Sequence, residues 1–288
     1  MKQPIKILIL VVAILLAVGG VLYFMHTILA PPMPENRNQF VATLEADTIV
    51  INRDDREKGF AKFKDELFLF QKEEVISSSE YDKAYEQMIS TYTPLFLNWC
   101  FERFSASEWY PNDHKFMLSR ISMLQSADYS NGKPIIERGS SPYLRMDHIK
   151  TIIQNYKDAW AATRVKGFTN LKDANERIQK AKSYKNKDYL SNCTSLMQAI
   201  NNVSSKLENA HYSYLKGQVE RLWNYSNYSD LDSYDKLVDE VDAKLDEYKN
   251  NAQKTYGKSR DVEPLKTQGG KIYERAYIYF NNRNKPLD

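Results

Sequence analysis

The sequence predicts an all-α protein in which a single N-terminal transmembrane helix is followed by an extracytoplasmic helical bundle with long, coiled-coil-like helices. Three observations lead to this fold class. An unbroken apolar run lies close to the N-terminus, and apolar residues recur at steps of three and four through most of the remaining chain. Glycine and proline are scarce, at ten each among 288 residues. Long stretches without either residue favour helices over a many-stranded sheet.

The apolar run covers residues 7–30 and carries no formal charge. As a helix rising ~1.5 Å per residue it spans ~36 Å, which exceeds the ~30 Å hydrocarbon core of a bilayer. A cleaved signal peptide is the alternative, but its apolar core is only ~7–15 residues long. Lys2 and Lys6 precede the run, whereas mostly acidic residues follow the prolines that end it. The positive-inside rule therefore predicts a cytoplasmic N-terminus and an outer domain that begins at residue 35.

The chain is predicted to comprise an anchor and three further parts. The anchor and its proline-rich hinge occupy residues 1–34, and the first helical part occupies 35–165. A helical hairpin or bundle follows at 166–258, and an aromatic-rich tail at 259–288 completes the chain. Within the tail, residues 272–280 are interpreted as a docked strand or a short helix.

Apolar stripes and helix-end signals place the elements of the outer domain. Asn131 and Gly132 predict a tight turn with a positive φ. Ser141 followed by Pro142 predicts a helix start, and Asn112 is a second candidate helix cap. Residues 39–51 are either a short helix or a strand. The predicted helices cover residues 54–74, 81–99 with Pro94 inside, a segment after 112, 141–165, 169–183, 188–225 as one long helix, and 234 to just before Gly257.

Charge is distributed unevenly along the chain, although the net charge of +3 is too small to indicate nucleic-acid binding. Basic residues outnumber acidic ones by twelve to five in 133–185, and acidic residues outnumber basic ones by eight to two in 230–247. The two segments either complement each other within one fold or leave a basic stripe free for a polyanion or an anionic lipid surface. The candidate contacts on that stripe are Lys150, Lys157 and Arg164.

Aromatic residues make up 12% of the chain, and some lie in or beside the turn-rich segments around 105–145. Exposed rings there could stack on sugars or anchor a protein partner. The alternative is that these rings pack, half-buried, between helices. The candidates are Trp109, Tyr110, Tyr129 and Tyr143.

Cys100 and Cys193 are the only cysteines. In an oxidising compartment they could form a disulfide. Each also lies on an apolar stripe, where a buried thiol packs well, so both states stay open.

No motif in the sequence assigns catalysis, a cofactor or a metal. A serine nucleophile elbow, CxxC, HExxH and a P-loop are all absent. His114 and His148 each follow an aspartate, but their separation along the chain enforces no metal site. His211 lies on an apolar stripe and is predicted to be a packed, hydrogen-bonded core residue.

The function expected from these features is that of a membrane-anchored, protein-binding or scaffolding component of a cell envelope. Its expected partners are the membrane, through residues 7–30, and a second protein or a second copy of the chain, with no nucleic acid and no identified small molecule. Two alternatives remain. One is an enzyme that acts on an envelope polymer with a cleft formed by the 105–145 loops, and the other is a glycan- or anionic-lipid-binding module.

Overall fold

A computed structural model describes residues 78–129 and 131–283 and divides the chain into a first unit, Met1–Gln154, and a second unit, Asn155–Asp288. Within the described residues every regular element is helical, apart from an isolated antiparallel bridge between Asp128 and Pro134. The all-α prediction is therefore confirmed for this part of the chain. The sequence-based part limits at 165/166 and 258/259 stay predictions.

The predicted anchor at residues 7–30 lies outside the described residues, as do the predicted elements at 39–51 and 54–74. Among the helices that the structure does describe, none is both long enough and apolar enough to cross a bilayer.

In the part of the first unit that the structure describes, residues 78–129 and 131–154, there are two whole helices and the beginning of a third. These are α1 (Ser78–Ser105), α2 (Pro111–Gln125) and the N-terminal part of α3 (Ser141–Ala162). α1 continues through Pro94. Pro111 is the first residue of α2 and Tyr110 is its N-cap, so the prediction that Asn112 caps this helix is wrong. Proline suits the first helical position because its missing N–H would have no intrahelical partner there.

Trp99 forms the centre of the aromatic core of the first unit. Its side chain is 1% exposed and its ring centroid lies 5.3 Å from that of Phe116 in an edge-on arrangement and 6.4 Å from that of Phe96. Between α2 and α3 the chain makes the predicted tight turn, with Gly132 at a φ of 76°. The Tyr129 N–H donates to the carbonyl of Lys133 at 2.8 Å and closes this turn.

The second unit contains the end of α3 and five further helices. These are α4 (Leu171–Ser183), α5 (Thr194–Asn201), α6 (Val203–Arg221), α7 (Leu231–Tyr256) and α8 (Glu263–Arg283), with 3₁₀ turns at Leu190–Asn192 and Leu222–Asn227. α6, α7 and α8 pack against one another, and α4 packs against α6 and α7.

Short polar side chains cap the start of two of these helices, although the sequence alone did not single out either of them. The Asn170 Oδ1 accepts from the backbone N–H of Asp173 at 2.8 Å at the start of α4. Asp230 caps α7 in the same way by accepting from the N–H of Ser233 at 2.7 Å. α7 ends before Gly257, whose φ of 75° is a left-handed conformation that glycine adopts without steric cost.

The predicted single helix from residue 188 to 225 is wrong. A 3₁₀ turn, α5, α6 and a second 3₁₀ turn replace it, because Cys193 is extended (φ −77°, ψ 99°), and a single turn residue, Asn202 (φ −84°, ψ −6°), separates α5 from α6. Asparagine has a low helix propensity, so a break at this position costs little. The tail segment 272–280 belongs to the much longer α8, in which Ile272, Ala276 and Phe280 are buried at steps of four.

Candidate functional site: a basic pocket in the second unit

A surface pocket of about 390 Å³ lies where the end of α3 meets α4. Two small apolar residues and four basic residues form its walls. The lining residues are Ala161, Ala162, Arg164, Lys166, Arg177 and Lys180. All of them belong to the second unit.

Two elements place the four cations around the pocket. Arg164 and Lys166 follow the end of α3, where the Arg164 N–H donates to the carbonyl of Ala161 at 3.2 Å and holds the chain in a turn. Arg177 and Lys180 are one turn apart on α4. Since Ile178 of this helix is buried, the arginine and the lysine lie away from its apolar face.

Most of the positive charge in the pocket has no anionic partner. Arg177 forms an ion pair with Asp173, with 3.0 Å between Nε and Oδ2. Arg164, Lys166 and Lys180 make no ion pair with any residue in the described part of the chain. Several like charges around one concave surface raise the local positive potential and attract anions. The pocket is therefore suited to a carboxylate or a phosphate.

The three predicted basic contacts, Lys150, Lys157 and Arg164, do not form one site. Only Arg164 lines the pocket, while Lys157 is exposed elsewhere on α3. Lys150 belongs to the first unit, where its Nζ donates to Gln125 Oε1 at 2.5 Å and to Asp147 Oδ1 at 3.2 Å. Bonds from Gln125 and Lys150 to the Asp147 carboxylate hold its pKa below the usual range. Lys150 is therefore already engaged and less available to a ligand.

Sequence reasoning missed the other three pocket cations, Lys166, Arg177 and Lys180. The available signal was the basic excess of the whole segment 133–185. It could not show which of twelve basic side chains meet, because that depends on how α4 folds back against the end of α3.

The acidic segment 230–247 does not neutralise the basic segment. No ion pair within the described residues joins 133–185 to 230–247. Lys244 pairs with Glu240 within α7, and Lys266 of α8 pairs with Asp246 at 2.5 Å. The expectation that the two segments complement each other stays a prediction, because the complementarity of two solvated faces does not require direct ion pairs and residues 133–154 belong to the other unit.

The four candidate aromatic contacts differ in exposure. Trp109 is only 6% exposed, and its Nε1–H donates to the carbonyl of Ala106 at 3.2 Å. Its ring is therefore packed in the core, which favours the alternative that this residue packs between helices. Tyr110 is 61% exposed, whereas Tyr129 and Tyr143 are half-buried. Burial and a hydrogen bond with Glu86 raise the pKa of Tyr129.

Two further aromatic side chains, which the sequence did not single out, are exposed. Trp223 is 44% exposed in the second 3₁₀ turn, and Tyr277 is 48% exposed on α8. The Arg275 guanidinium lies 5.1 Å from the centroid of the Trp223 ring.

A second concave surface, of about 410 Å³, belongs to the first unit. It is lined by one side of α1 and by the chain around residues 135–145, so it coincides in part with the cleft that the enzyme hypothesis requires. Its apolar wall includes Ile89, Leu97 and Ile136, and two carboxylates, Glu86 and Glu137, lie at its edge. The enzyme hypothesis stays a hypothesis.

A buried carboxylate, Glu208, links α6 to α7 and to the loop after it. Glu208 is 0% exposed, and its Oε1 accepts from the Tyr248 hydroxyl at 2.6 Å and lies 3.2 Å from the Arg260 Nε. The Lys258 Nζ lies 3.4 Å from Oε2. Oε1 therefore has both a hydrogen-bond donor and a cation, whereas the buried Oε2 accepts no hydrogen bond from the described residues and has only the Lys258 cation nearby, which indicates a structural role.

His211 lies beside this network, and the prediction that it is a hydrogen-bonded core residue is confirmed. It is 1% exposed, its Nδ1 lies 3.1 Å from the Tyr256 hydroxyl, and the Phe168 ring stacks on it at 3.6 Å. Burial lowers the pKa of His211 to about 4, although the nearby Glu208 carboxylate acts in the opposite direction.

The other two histidines also pack against aromatic rings. His114 is buried beside Trp109, with 6.0 Å between ring centroids, and His148 lies 5.7 Å from Phe101. Within residues 78–129 and 131–283, no group of three or more histidine, cysteine or acidic side chains has the arrangement of a metal site.

Both cysteines are free and fully buried, each within its own unit. Burial raises the pKa of the Cys100 thiol well above its ordinary value, which slows its reaction with alkylating reagents. We expect no alkylation of the native protein and two modified cysteines after unfolding without reductant, measured by intact mass. A chain that accepts reagent only after reduction would instead contain the predicted disulfide.

The fold and the pocket together define a helical protein, all-α throughout its described residues, with a cation-lined site on its second unit. Comparison of the chain with known protein families, with curated proteins and with solved structures finds no match.

Proposed function

We propose that this chain is a single-pass membrane protein whose helical outer domain is a binding module of a cell envelope, and that the basic pocket of the second unit binds an anionic partner. The observation that carries the binding role is the set of four cations around one concavity, three of them without an acidic partner. The apolar run at residues 7–30 and the charges that flank it support an anchored chain with its N-terminus in the cytoplasm.

The energetics of the pocket favour an anion over a neutral ligand. Arg164, Lys166 and Lys180 are exposed, so bringing a carboxylate or a phosphate against them costs little desolvation. Each exposed contact contributes only about 1 kcal/mol, and affinity therefore depends on engaging several cations together. A ligand that carries several negative charges meets this condition better than a single small anion.

The test measures binding of a fluorescently labelled poly-glutamate peptide to the full-length protein in neutral detergent micelles. Replacing Arg164→Glu together with Lys180→Glu is expected to weaken binding at least tenfold, since about 1.4 kcal/mol is a factor of ten and each reversal also adds repulsion. Raising the salt concentration from about 50 mM to about 500 mM should weaken wild-type binding as well, because the charges are exposed and screened.

A matched control separates the pocket from overall charge. Lys254→Glu with Lys271→Glu makes the same change in net charge at two exposed lysines of the second unit that form no ion pair with the described residues. This control should retain nearly wild-type affinity. Equal weakening in both double variants, or no weakening in the Arg164/Lys180 variant, would contradict the proposed function.

A further inference from the structure

An acidic stripe runs along α7 on the same unit as the basic pocket. Its members recur at steps of three and four and therefore share one side of the helix. They are Asp232, Asp235, Asp239, Asp242 and Asp246. The buried residues of α7, such as Tyr234, Val241 and Leu245, lie on a different side.

Few cations within the described residues neutralise this acidic stripe. Asp246 pairs with Lys266 of α8, and Asp235 accepts a hydrogen bond from the Tyr273 hydroxyl. Asp232, Asp239 and Asp242 are exposed and form no ion pair within the described part of the chain. Burial, together with the neighbouring charges of Asp246 and Asp239, raises the pKa of Asp242, although Lys266 acts against this.

We propose that the basic pocket of one copy binds the acidic stripe of a second copy of this chain. The inference rests on the proposed function, because it takes the pocket as an anion-binding site and names the anion. Charge complementarity between the basic pocket and the acidic stripe supports this proposal. The pocket offers several cations without acidic partners, the stripe offers several carboxylates without basic partners, and no ion pair joins the two segments within the described residues.

This contact joins different surfaces of the two copies. A copy whose pocket binds the acidic stripe of a neighbour still has its own acidic stripe unoccupied. The association is therefore head-to-tail, and it either closes into a ring or continues as an open chain. Exposed, salt-screened charges also make the association weak and reversible at physiological ionic strength. Such an assembly would give the outer domain a scaffolding role through repetition of one contact.

The test compares the association of charge-reversed full-length chains in neutral detergent micelles by sedimentation velocity at about 50 mM salt. The pocket variant carries Arg164→Glu and Lys180→Glu, and the stripe variant carries Asp239→Lys and Asp242→Lys. Each variant alone is expected to associate at least tenfold more weakly than the wild type, because like charges now face each other. The Lys254→Glu/Lys271→Glu chain is the control and should associate as the wild type does.

Restored association is the decisive result. Mixing the pocket variant with the stripe variant should restore association, since each presents the charge that the other needs. A chain with all four substitutions should also associate with itself. Misfolding of either variant would not produce this pattern, so recovery upon mixing separates a lost contact from a lost fold.

Three outcomes would overturn the inference. These are a wild-type chain that stays monomeric at low salt, association that persists in both double variants, and failure of the mixture to recover. If in any of these cases Arg164 and Lys180 are still required for binding poly-glutamate, the proposed function stands and only the identity of the partner is wrong. If the wild type binds phosphatidylglycerol vesicles but does not self-associate, the partner of the pocket is an anionic lipid surface and not a second copy of the chain.

Discussion

Replacing Lys258 and Arg260 together with alanine is expected to lower the free energy of unfolding of the second unit by about 3 kcal/mol. Glu208 is 0% exposed, and the double substitution removes both counter-charges described above from its carboxylate. Losing the partners of a buried charge costs ~3–5 kcal/mol. The lower end applies because the two basic side chains are 44% and 46% exposed, so solvent already screens their attraction to the carboxylate.

Urea denaturation of the full-length chain measures this loss, with hydrogen exchange assigning the transition to residues 155–283. Lys249→Ala is the matched control, because it removes an ion pair with Glu263 in which both side chains are 56% exposed. An exposed pair of this kind contributes about 0–1 kcal/mol, so the control should remain close to the wild type. A similar loss in both variants would show that the burial of Glu208 does not govern the effect.

The stability of the second unit is expected to fall by about 2 kcal/mol between pH 7.5 and pH 5.0 through His211 alone. Burial lowers the pKa of this imidazole from 6.5 to about 4. Over this range the unfolded chain binds a proton that the folded core does not accept until about pH 4. The folded state is therefore favoured fully above pH 6.5, and this contribution is lost as the pH falls towards 4.

His211→Phe should remove this part of the pH dependence, because phenylalanine does not titrate. The variant should also be less stable by about 1–3 kcal/mol at pH 7.5, since the buried Tyr256 hydroxyl loses its partner at 3.1 Å. Urea denaturation at both pH values measures both effects. His148→Phe, in the first unit, is the control and should leave the pH dependence of the second unit unchanged. An unaltered pH dependence in His211→Phe would mean that groups other than His211 govern the pH dependence.

Local sequence signals were sufficient to predict several helix ends. Ser141 with Pro142 marks the start of α3, and Gly257, which adopts a left-handed φ, marks the end of α7, so each signal acts through neighbours within a few residues along the chain. Periodicity was less informative between residues 188 and 225. The apolar spacing continues across Cys193 and Asn202 even though the helix does not, because short helices that pack against the same core retain the same spacing.

The sequence by itself determined the helical class, the main helix ends, the burial of His211 and the presence of oppositely charged segments. Those features depend on side-chain periodicity, backbone preference and composition, which are local. Only the tertiary structure decided that Trp109 is buried, that Arg164 shares a pocket with Lys180, and that Glu208 meets Arg260. These contacts join residues distant along the chain, and their formation depends on how whole helices pack, because no local pattern specifies which charged side chains will meet.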